Sequence, residues 1–463
     1  MLKKVILSLA AALISFTSAF SQTDFDRGAV DFGELMSASD FPVPVPEKGL
    51  FNWGKDDDKP AEAKEWTVMV YLNGKNDLEV AGLYNVNKME LVGSGNSLNI
   101  VAELGRMNGQ ENDVSFDGNW TGSRRYYVTK DSNENKIKSK RLASFDKADM
   151  GDWKHLVEFV KWAQARYPAR HYALIIWNHG TGWTTSKGIS FDFQTDNHIS
   201  TPELGNAMKE IGKVDILAYD ACLMQMAELL YEVKDYSDYV VGSEETVPGL
   251  GFPYDAFLGG FAASKSSGEL ASLMVSSYSN FYSSKGKKVT LSSAKISAAG
   301  DFMAAFNDWT EALLSFDKKP ELKKHSMLSA AYAEKDNKDL YDFASRLAEA
   351  YPQQPLGVKS GALMEALTGK LITANTAYEE GSGSDEKSKG LAIYFPDKGY
   401  NQKYDSLAFS KDTKWDDFLK IMKDVSAPGL EFMSGCTDPG PNASPEQLMA
   451  YVDCLTNAIN SIF

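Results

Sequence analysis

The sequence predicts an α/β protein with a mainly parallel sheet that is covered by helices on both faces. Apolar runs of strand length alternate with segments of helical periodicity from residue 66 onward, as in sheets whose strands are joined by helical crossovers. Two of the runs, in HYALIIWNHG from residue 171 and DILAYDAC from residue 215, stop abruptly. Hydrophobic residues make up 43% of the chain, which is ample for the core of such a fold.

The first 64 residues are predicted to precede the folded region. Residues 1–21 have the features of a secretory signal, with two early lysines, an apolar stretch and the small-x-small sequence Ala19-Phe20-Ser21. Residues 22–64 are polar, acidic and proline-bearing, which predicts a flexible leader or pro-segment. No later apolar run approaches the roughly 20 residues of a membrane span. We therefore expect export to the periplasm, cell surface or extracellular medium of a bacterium.

Residues 65–262 are predicted to form the core. The start of one helix is well marked, because Thr201-Pro202-Glu203 places a capping residue, a proline and an acid in order. The predicted elements are a strand from Trp66, a helix at 78–92, a strand at 97–104, a surface hairpin from RRYYVTK, a helix at 153–167, a strand at 171–177, an edge strand at 188–193, a helix from Thr201, a strand at 215–219, a helix at 223–233 and a strand at 239–245.

The rest of the chain is predicted to be a helix-rich extension at 263–426 and a tail at 427–463. Helices are expected at 267–284, 299–315 and 338–350, and the strand-like segments 289–296 and 390–396 are candidates to join the core sheet. The tail holds Cys436 and Cys454, which can pair with each other. A loop of that size would gain about 3 kcal/mol from closure.

The third cysteine and one histidine are the candidate chemical groups. His179 follows the apolar run at 171–177, and Cys222 follows the run at 215–219. Ligands bind beyond the carboxyl ends of parallel strands, so two neighbouring strands would place this imidazole beside this thiol and favour a thiolate nucleophile. An unpaired thiol in an exported protein is otherwise buried and inert.

These two segments resemble the clostripain family of cysteine peptidases. A strand that ends N-H-G-x-G-W, followed about forty residues later by a strand that ends D-x-C-L-M, is similar to that family's pattern, as are the opening WTVMVYLNGKNDLE and the late GLAIYFP. The resemblance covers roughly residues 66–260. It implies the caspase-like fold of caspases, legumains and gingipains, with Cys222 as nucleophile and His179 as general base and acid in a sufficient dyad.

Further site residues follow from this resemblance. The backbone N–H groups of Gly180 and Cys222 are candidates for the oxyanion hole. Asp220 matches the acid that lines the family's specificity pocket, where it would bind Arg of a substrate, with Lys as the second candidate. The alternative role for Asp220 is a helix N-cap. Glu244 and Glu245 are expected to be surface acids.

Activation by self-cleavage is a further expectation. Relatives are often cut between the histidine and the cysteine, and here residues 184–197 include Lys187. The leader offers competing sites at Lys55, Lys59 and Lys64, and disorder there would favour cleavage.

Charge and motifs restrict the partners. The net charge of −15 argues against nucleic acid and is compatible with basic protein or peptide substrates. No HExxH or paired CxxC motif is present, so no metal or other cofactor is expected. Calcium remains a weaker alternative, because DKADMGD and SDYVVGSEE are acidic but match no calcium-loop pattern.

Two other functions stay open: a non-catalytic protein that binds peptides or glycans, and a transpeptidase or ligase that uses the same dyad.

Overall fold

The computed structural model describes residues 62–427, apart from 110–113, 116, 134–135, 184–187, 264 and 379–386, together with 449–451 and 454. The strands are β1 (Lys64–Gly74), β2 (Leu98–Arg106), β3 (Gly122–Tyr127), β4 (Lys140–Phe145), β5 (Ala169–Trp177), β6 (Ile189–Asp192), β7 (Asn197–Ile199), β8 (Val214–Asp220), β9 (Ser237–Gly242), β10 (Val289–Lys295), β11 (Asn337–Asp339), β12 (Ile372–Tyr378) and β13 (Ala392–Tyr394). The helices are α1 (Glu79–Glu90), α2 (Trp153–Arg166), α3 (Thr201–Ile211), α4 (Ala227–Val233), α5 (Tyr254–Ala262), α6 (Ser267–Ser283), α7 (Ala299–Ser315), α8 (Lys319–Met327), α9 (Leu340–Ala350), α10 (Pro355–Ala366), α11 (Ala408–Asp412) and α12 (Trp415–Met422).

Nine of the strands form one sheet in the order β12-β10-β9-β8-β5-β1-β2-β3-β4. The five central strands, from β9 to β2, are parallel to one another. Antiparallel strands extend the sheet on both sides, with β3 and β4 at one edge and β10 and β12 at the other. The apolar runs of β1, β5 and β8 lie in the middle and are buried. The predicted mainly parallel sheet flanked by helices is confirmed.

Most predicted elements occur within a few residues of their expected positions. The segment predicted as an edge strand at 188–193 forms β6, which pairs with β7 in a separate two-stranded sheet and not with the main sheet. Of the two strands predicted in the extension, only one joins the main sheet. Strand β10 joins the main sheet, as does β12, which the sequence did not predict. The predicted strand at 390–396 does not join it. Its central part, β13, pairs with β11 in a separate two-stranded sheet and contacts Met226 through a single β-bridge.

The helix predicted from Leu223 begins four residues later, at Ala227. Leu223 has φ +62°, which is outside the helical region. The N–H groups of Leu223 and Gln225 donate instead to the carbonyls of Glu245 and Ser243, and the carbonyl of Gln225 accepts from the N–H of Ala392. These long-range hydrogen bonds keep residues 223–226 out of the helix despite their helical sequence pattern.

Several predictions concern residues at the two ends of the chain. The predicted leader boundary is wrong at Lys64, because this residue is the first of β1 and pairs with Ala169 of β5. The signal sequence lies outside the described residues. Cys454 is disulfide-bonded, and Cys436 lies outside the described residues. No helix in the described part of the chain is long and apolar enough to cross a membrane.

Candidate active site

Strand register places His179 and Cys222 at the same edge of the sheet. β5 and β8 are direct parallel neighbours, and Trp177 pairs with Asp220 at their carboxyl ends. His179 and Cys222 each follow two residues after this last pair. The sheet therefore brings the predicted imidazole and thiol to equivalent positions on adjacent strands.

Gly180 allows the two strand-end segments to approach closely. A Cβ atom at this position would lie 2.4 Å from the carbonyl oxygen of Cys222 and 3.0 Å from the side chain of Ala221. Real Cβ atoms do not tolerate such a distance, so only glycine fits here. The chain next to His179 is thus in direct backbone contact with the chain at Cys222.

The imidazole of His179 is held on several sides. Its side chain is 8% exposed, and Nε2 lies 2.8 Å from Oδ1 of Asp77. The ring stacks in parallel on Phe193, with centroids 6.3 Å apart, and meets Phe191 edge-on. Nδ1 is buried and has no hydrogen-bond partner among the described residues. One ring nitrogen is therefore engaged by a carboxylate, and the other is available.

Asp77 was not predicted from the sequence. It lies in the turn between β1 and α1, 102 residues from its histidine partner. The turn is anchored by a buried ion pair of Lys75 with Asp192 at 2.7 Å and by a hydrogen bond from Asn76 Nδ2 to the carbonyl of Phe191. The only sequence signal was a polar turn after a buried strand, which many turns share.

The thiol of Cys222 is 2% exposed and is contacted by a second loop. The backbone N–H of Val247 donates to Sγ at 3.2 Å. The thiol also donates to the carbonyl of Val247 at 3.8 Å. Because α4 begins only at Ala227, Cys222 does not lie at the N-terminus of a helix.

Asp220 lies two residues before the candidate nucleophile and is fully buried. Its Oδ2 accepts hydrogen bonds from the N–H of Phe252 and the hydroxyl of Tyr254, each at 3.0 Å. The helix N-cap alternative is wrong, since Met226 holds the N-cap position of α4. The carboxylate faces the backbone of Gly251, where an added Cβ would stand 2.8 Å from Oδ2.

The remaining predicted residues are not gathered at this site. Glu244 is buried rather than at the surface, and burial together with nearby Asp339 raises its pKa well above the usual range. Lys64 donates to the carbonyl of Gly95 and the hydroxyl of Tyr127. Lys55, Lys59 and Lys187 lie outside the described residues.

An aromatic cluster links the segment after His179 to helix α4, which follows Cys222. Trp183, four residues after His179, packs on the rings of Tyr394 and Tyr404 with centroids 4.6 and 4.8 Å away. Glu228 of α4 accepts hydrogen bonds from the N–H of Tyr394 and the hydroxyl of Tyr404. Burial raises the pKa of Glu228 to about 7. The histidine segment and the helix after the cysteine thus share one buried anchor.

The described residues contain no group of three or more His, Cys, Asp or Glu side chains that could hold a metal ion.

Solved structures share this fold. A structure of an inactive zymogen protease from Parabacteroides distasonis is 21% identical, covers 76% of this chain and 99% of its own, and has a TM-score of 0.59. A secreted cysteine protease from Bacteroides thetaiotaomicron, in complex with an irreversible peptide inhibitor, is 20% identical, covers 77% of this chain and 99% of its own, and has a TM-score of 0.58. The expected caspase-like fold is confirmed.

The sequence comparisons identify the family. Clostripain from Hathewaya histolytica is 28% identical over 216 residues, which are 41% of this chain. The chain thus matches 40% of the length of that curated relative. The sequence profile of the clostripain family matches residues 70–422, most of the chain. With its sheet, its histidine and cysteine segments and this match, the chain belongs to the clostripain family of cysteine peptidases.

Proposed function

We propose that this protein is an endopeptidase that cleaves protein or peptide substrates after Arg, with Lys as the second candidate, through a Cys222–His179 dyad. The observation that carries the proposal is the register of β5 and β8, which sets the two side chains at equivalent positions beyond adjacent strand ends. The match of residues 70–422 to a family of cysteine peptidases supports the same chemistry.

The proposed reaction proceeds in two stages. The Cys222 thiolate attacks the scissile carbonyl carbon, and the resulting oxyanion accepts hydrogen bonds from the backbone N–H groups of Gly180 and Cys222. His179, which carries the thiol proton, gives it to the leaving amine as the C–N bond breaks. Water then attacks the thioester with His179 as base, and the acid product leaves. Cys222 supplies the nucleophile and His179 supplies the acid and base, so the proposed reaction uses no cofactor. Addition of calcium or of a chelator should therefore leave the activity unchanged.

Replacement of either dyad residue tests the proposal. We expect Cys222→Ala and His179→Ala to lower kcat on an Arg-containing fluorogenic peptide by several orders of magnitude, because residues that act as a unit are each essential. Circular dichroism would verify that both variants fold. Full activity in Cys222→Ala would refute the mechanism.

Asp220 is proposed to select the basic residue, since its carboxylate lies two residues from the nucleophile. Asp220→Asn retains an oxygen for Phe252 and Tyr254 but removes the charge. A buried charge left without its partner costs about 3–5 kcal/mol, so kcat/KM for Arg peptides should fall at least about a hundredfold. Alkylation of Cys222 by iodoacetamide should continue at the parent rate. An unchanged preference for Arg would place the specificity residue elsewhere.

Two alternatives make different predictions about products and reactivity. A transpeptidase or ligase would transfer the acyl group to an added amine, which mass spectrometry of the products detects. A non-catalytic protein that binds peptides or glycans would not react with a thiol-directed Arg-like inhibitor. The structural neighbour from Bacteroides thetaiotaomicron, a cysteine protease, was solved with an irreversible peptide inhibitor, which favours a catalytic function over binding alone.

Export and self-processing belong to the same proposal. The N-terminal signal features and the secreted neighbour support export, and the neighbour solved as an inactive zymogen supports an activation step. We propose cleavage in the leader at Lys55 or Lys59, or at Lys187. Lys64 is the least suitable of the four lysines, because its backbone is paired in β1. The test is to incubate the active protein and Cys222→Ala separately and to sequence any new N-termini. New N-termini after one of these lysines in the active protein alone indicate self-cleavage, and their absence from both proteins contradicts it.

A further inference from the structure

We propose that Asp77 is a positioning residue, which holds His179 in the Nε2–H form and leaves Nδ1 to exchange the proton with Cys222. This inference rests on the proposed function, and it adds a third side chain to the dyad. The argument depends on three observations: the hydrogen bond of the carboxylate, the state of the other ring nitrogen and the way in which the ring is held.

The hydrogen bond determines the tautomer. Oδ1 of Asp77 lies 2.8 Å from Nε2 of His179, and an ionised carboxylate can only accept. Nε2 must therefore carry the proton. In a neutral imidazole the other nitrogen then has a free lone pair. Nδ1 is buried and has no hydrogen-bond partner among the described residues, so its lone pair is available for a thiol proton.

Aromatic side chains also flank the imidazole ring. Phe193 stacks on the imidazole with an interplanar angle of 6°, although its own side chain is 50% exposed. The N–H of Phe193 donates to the carbonyl of Lys75, two residues before Asp77. The same turn thus supplies the carboxylate and anchors the backbone of the residue whose phenyl group lies parallel to the imidazole.

The Asp77 side chain itself remains 40% exposed. A residue needed only for the turn or for the start of α1 could be Asn as well as Asp, because both fit turns and helix caps. Asp77→Asn therefore separates the two roles. Its amide can donate to Nε2 and so favour the Nδ1–H form, which cannot accept a proton from the thiol.

We expect Asp77→Asn to lower kcat on the Arg peptide at least about a hundredfold while KM changes less than about twofold; in serine proteases the corresponding change lowers kcat by about 10⁴. The matched control is Asp196→Asn. Asp196 is an exposed acid in the turn between β6 and β7 with φ +54°, a conformation that Asn tolerates. This control should retain parental kcat and KM.

A second measurement does not depend on activity. NMR of protein labelled with ¹⁵N-histidine, in a Cys222→Ala background that prevents self-cleavage, distinguishes the two neutral tautomers. We expect the Nε2–H pattern for His179 in that background and its loss when Asp77→Asn is added. The resonance is assigned by comparison with His179→Gln.

Three outcomes are distinguishable. The inference is confirmed if Asp77→Asn loses activity, Asp196→Asn does not, and His179 has the Nε2–H form. It is overturned if Asp77→Asn keeps kcat within about threefold, or if the NMR pattern shows Nδ1–H with Asp77 intact. Retention of activity in His179→Ala would instead overturn the proposed function, and the Asp77 inference with it.

Discussion

At the scale of single residues, Glu228 connects the two segments that carry the proposed dyad. Its carboxylate accepts from Tyr394 and Tyr404, and both rings pack on Trp183 of the histidine segment. Oε2 of Glu228 is buried and has no hydrogen-bond partner among the described residues. The protonated form is therefore favoured in the folded state, which is why the pKa is raised to about 7.

This raised pKa predicts a pH-dependent stability. Between the usual value of 4.5 and about 7, the folded state binds more protons than the unfolded state, so stability decreases as pH rises through this window. Gln has the shape of the protonated acid and can keep both hydrogen bonds. We expect Glu228→Gln to match the parent near pH 4 and to exceed it by roughly 3 kcal/mol near pH 8. Urea unfolding at both pH values measures this, and a pH-independent difference would contradict it.

The candidate residues differed in how far the sequence revealed them. His179 and Cys222 could be identified because each follows a buried apolar run, and the position where such a run ends is a local pattern. Asp77 could not, since its relation to His179 exists only after two strands have paired. The surroundings of Asp220 depend in the same way on a loop more than thirty residues away.

At the scale of elements, the contact between the ends of β5 and β8 depends on Gly180. We expect Gly180→Ala to lower stability by about 1–3 kcal/mol and to lower kcat at least tenfold, because its Cβ would displace the Cys222 carbonyl. Gly361→Ala is the matched control. It lies inside α10 with no atom within 4 Å of an added Cβ, so the change should stabilise by up to about 1 kcal/mol. Equal activity of the two variants would contradict the close contact.

Strands and long amphipathic helices were predictable because hydrophobic periodicity is a local property. The helix at 299–315 agrees to the residue with α7. Residues 223–226 were not predictable, because their backbone is bonded to Ser243, Glu245 and Ala392. Strand β12 was also missed; it is an edge strand of moderate burial, with a sequence, ITANTAY, that has no clear alternation.

At the scale of the whole molecule, the extension after residue 262 is continuous with the core. β10 and β12 continue the sheet from β9, and Tyr394 and Tyr404 pack on Trp183. The core and the extension therefore share one sheet and one aromatic cluster.

We expect a fragment that ends at residue 262 not to fold, because it loses both of these contacts. The mature chain should unfold in one transition, with fluorescence and circular dichroism giving the same midpoint. A soluble fragment with cooperative unfolding, or two separate transitions in the mature chain, would contradict this.

The loop between β9 and α5 has a consequence for how new substrate preferences can arise. Val247 of this loop contacts the sulfur of Cys222, and Phe252 at its end donates to Asp220. Exchange of Asp220 for an apolar residue removes the acceptor of the Phe252 amide and of the Tyr254 hydroxyl. A shift of the loop that compensates for this loss also moves the Val247 amide that contacts the thiol. We therefore expect relatives with other substrate preferences to differ from this protein both in the loop between β9 and α5 and at the position of Asp220. Engineering of its selectivity should begin with libraries that vary both.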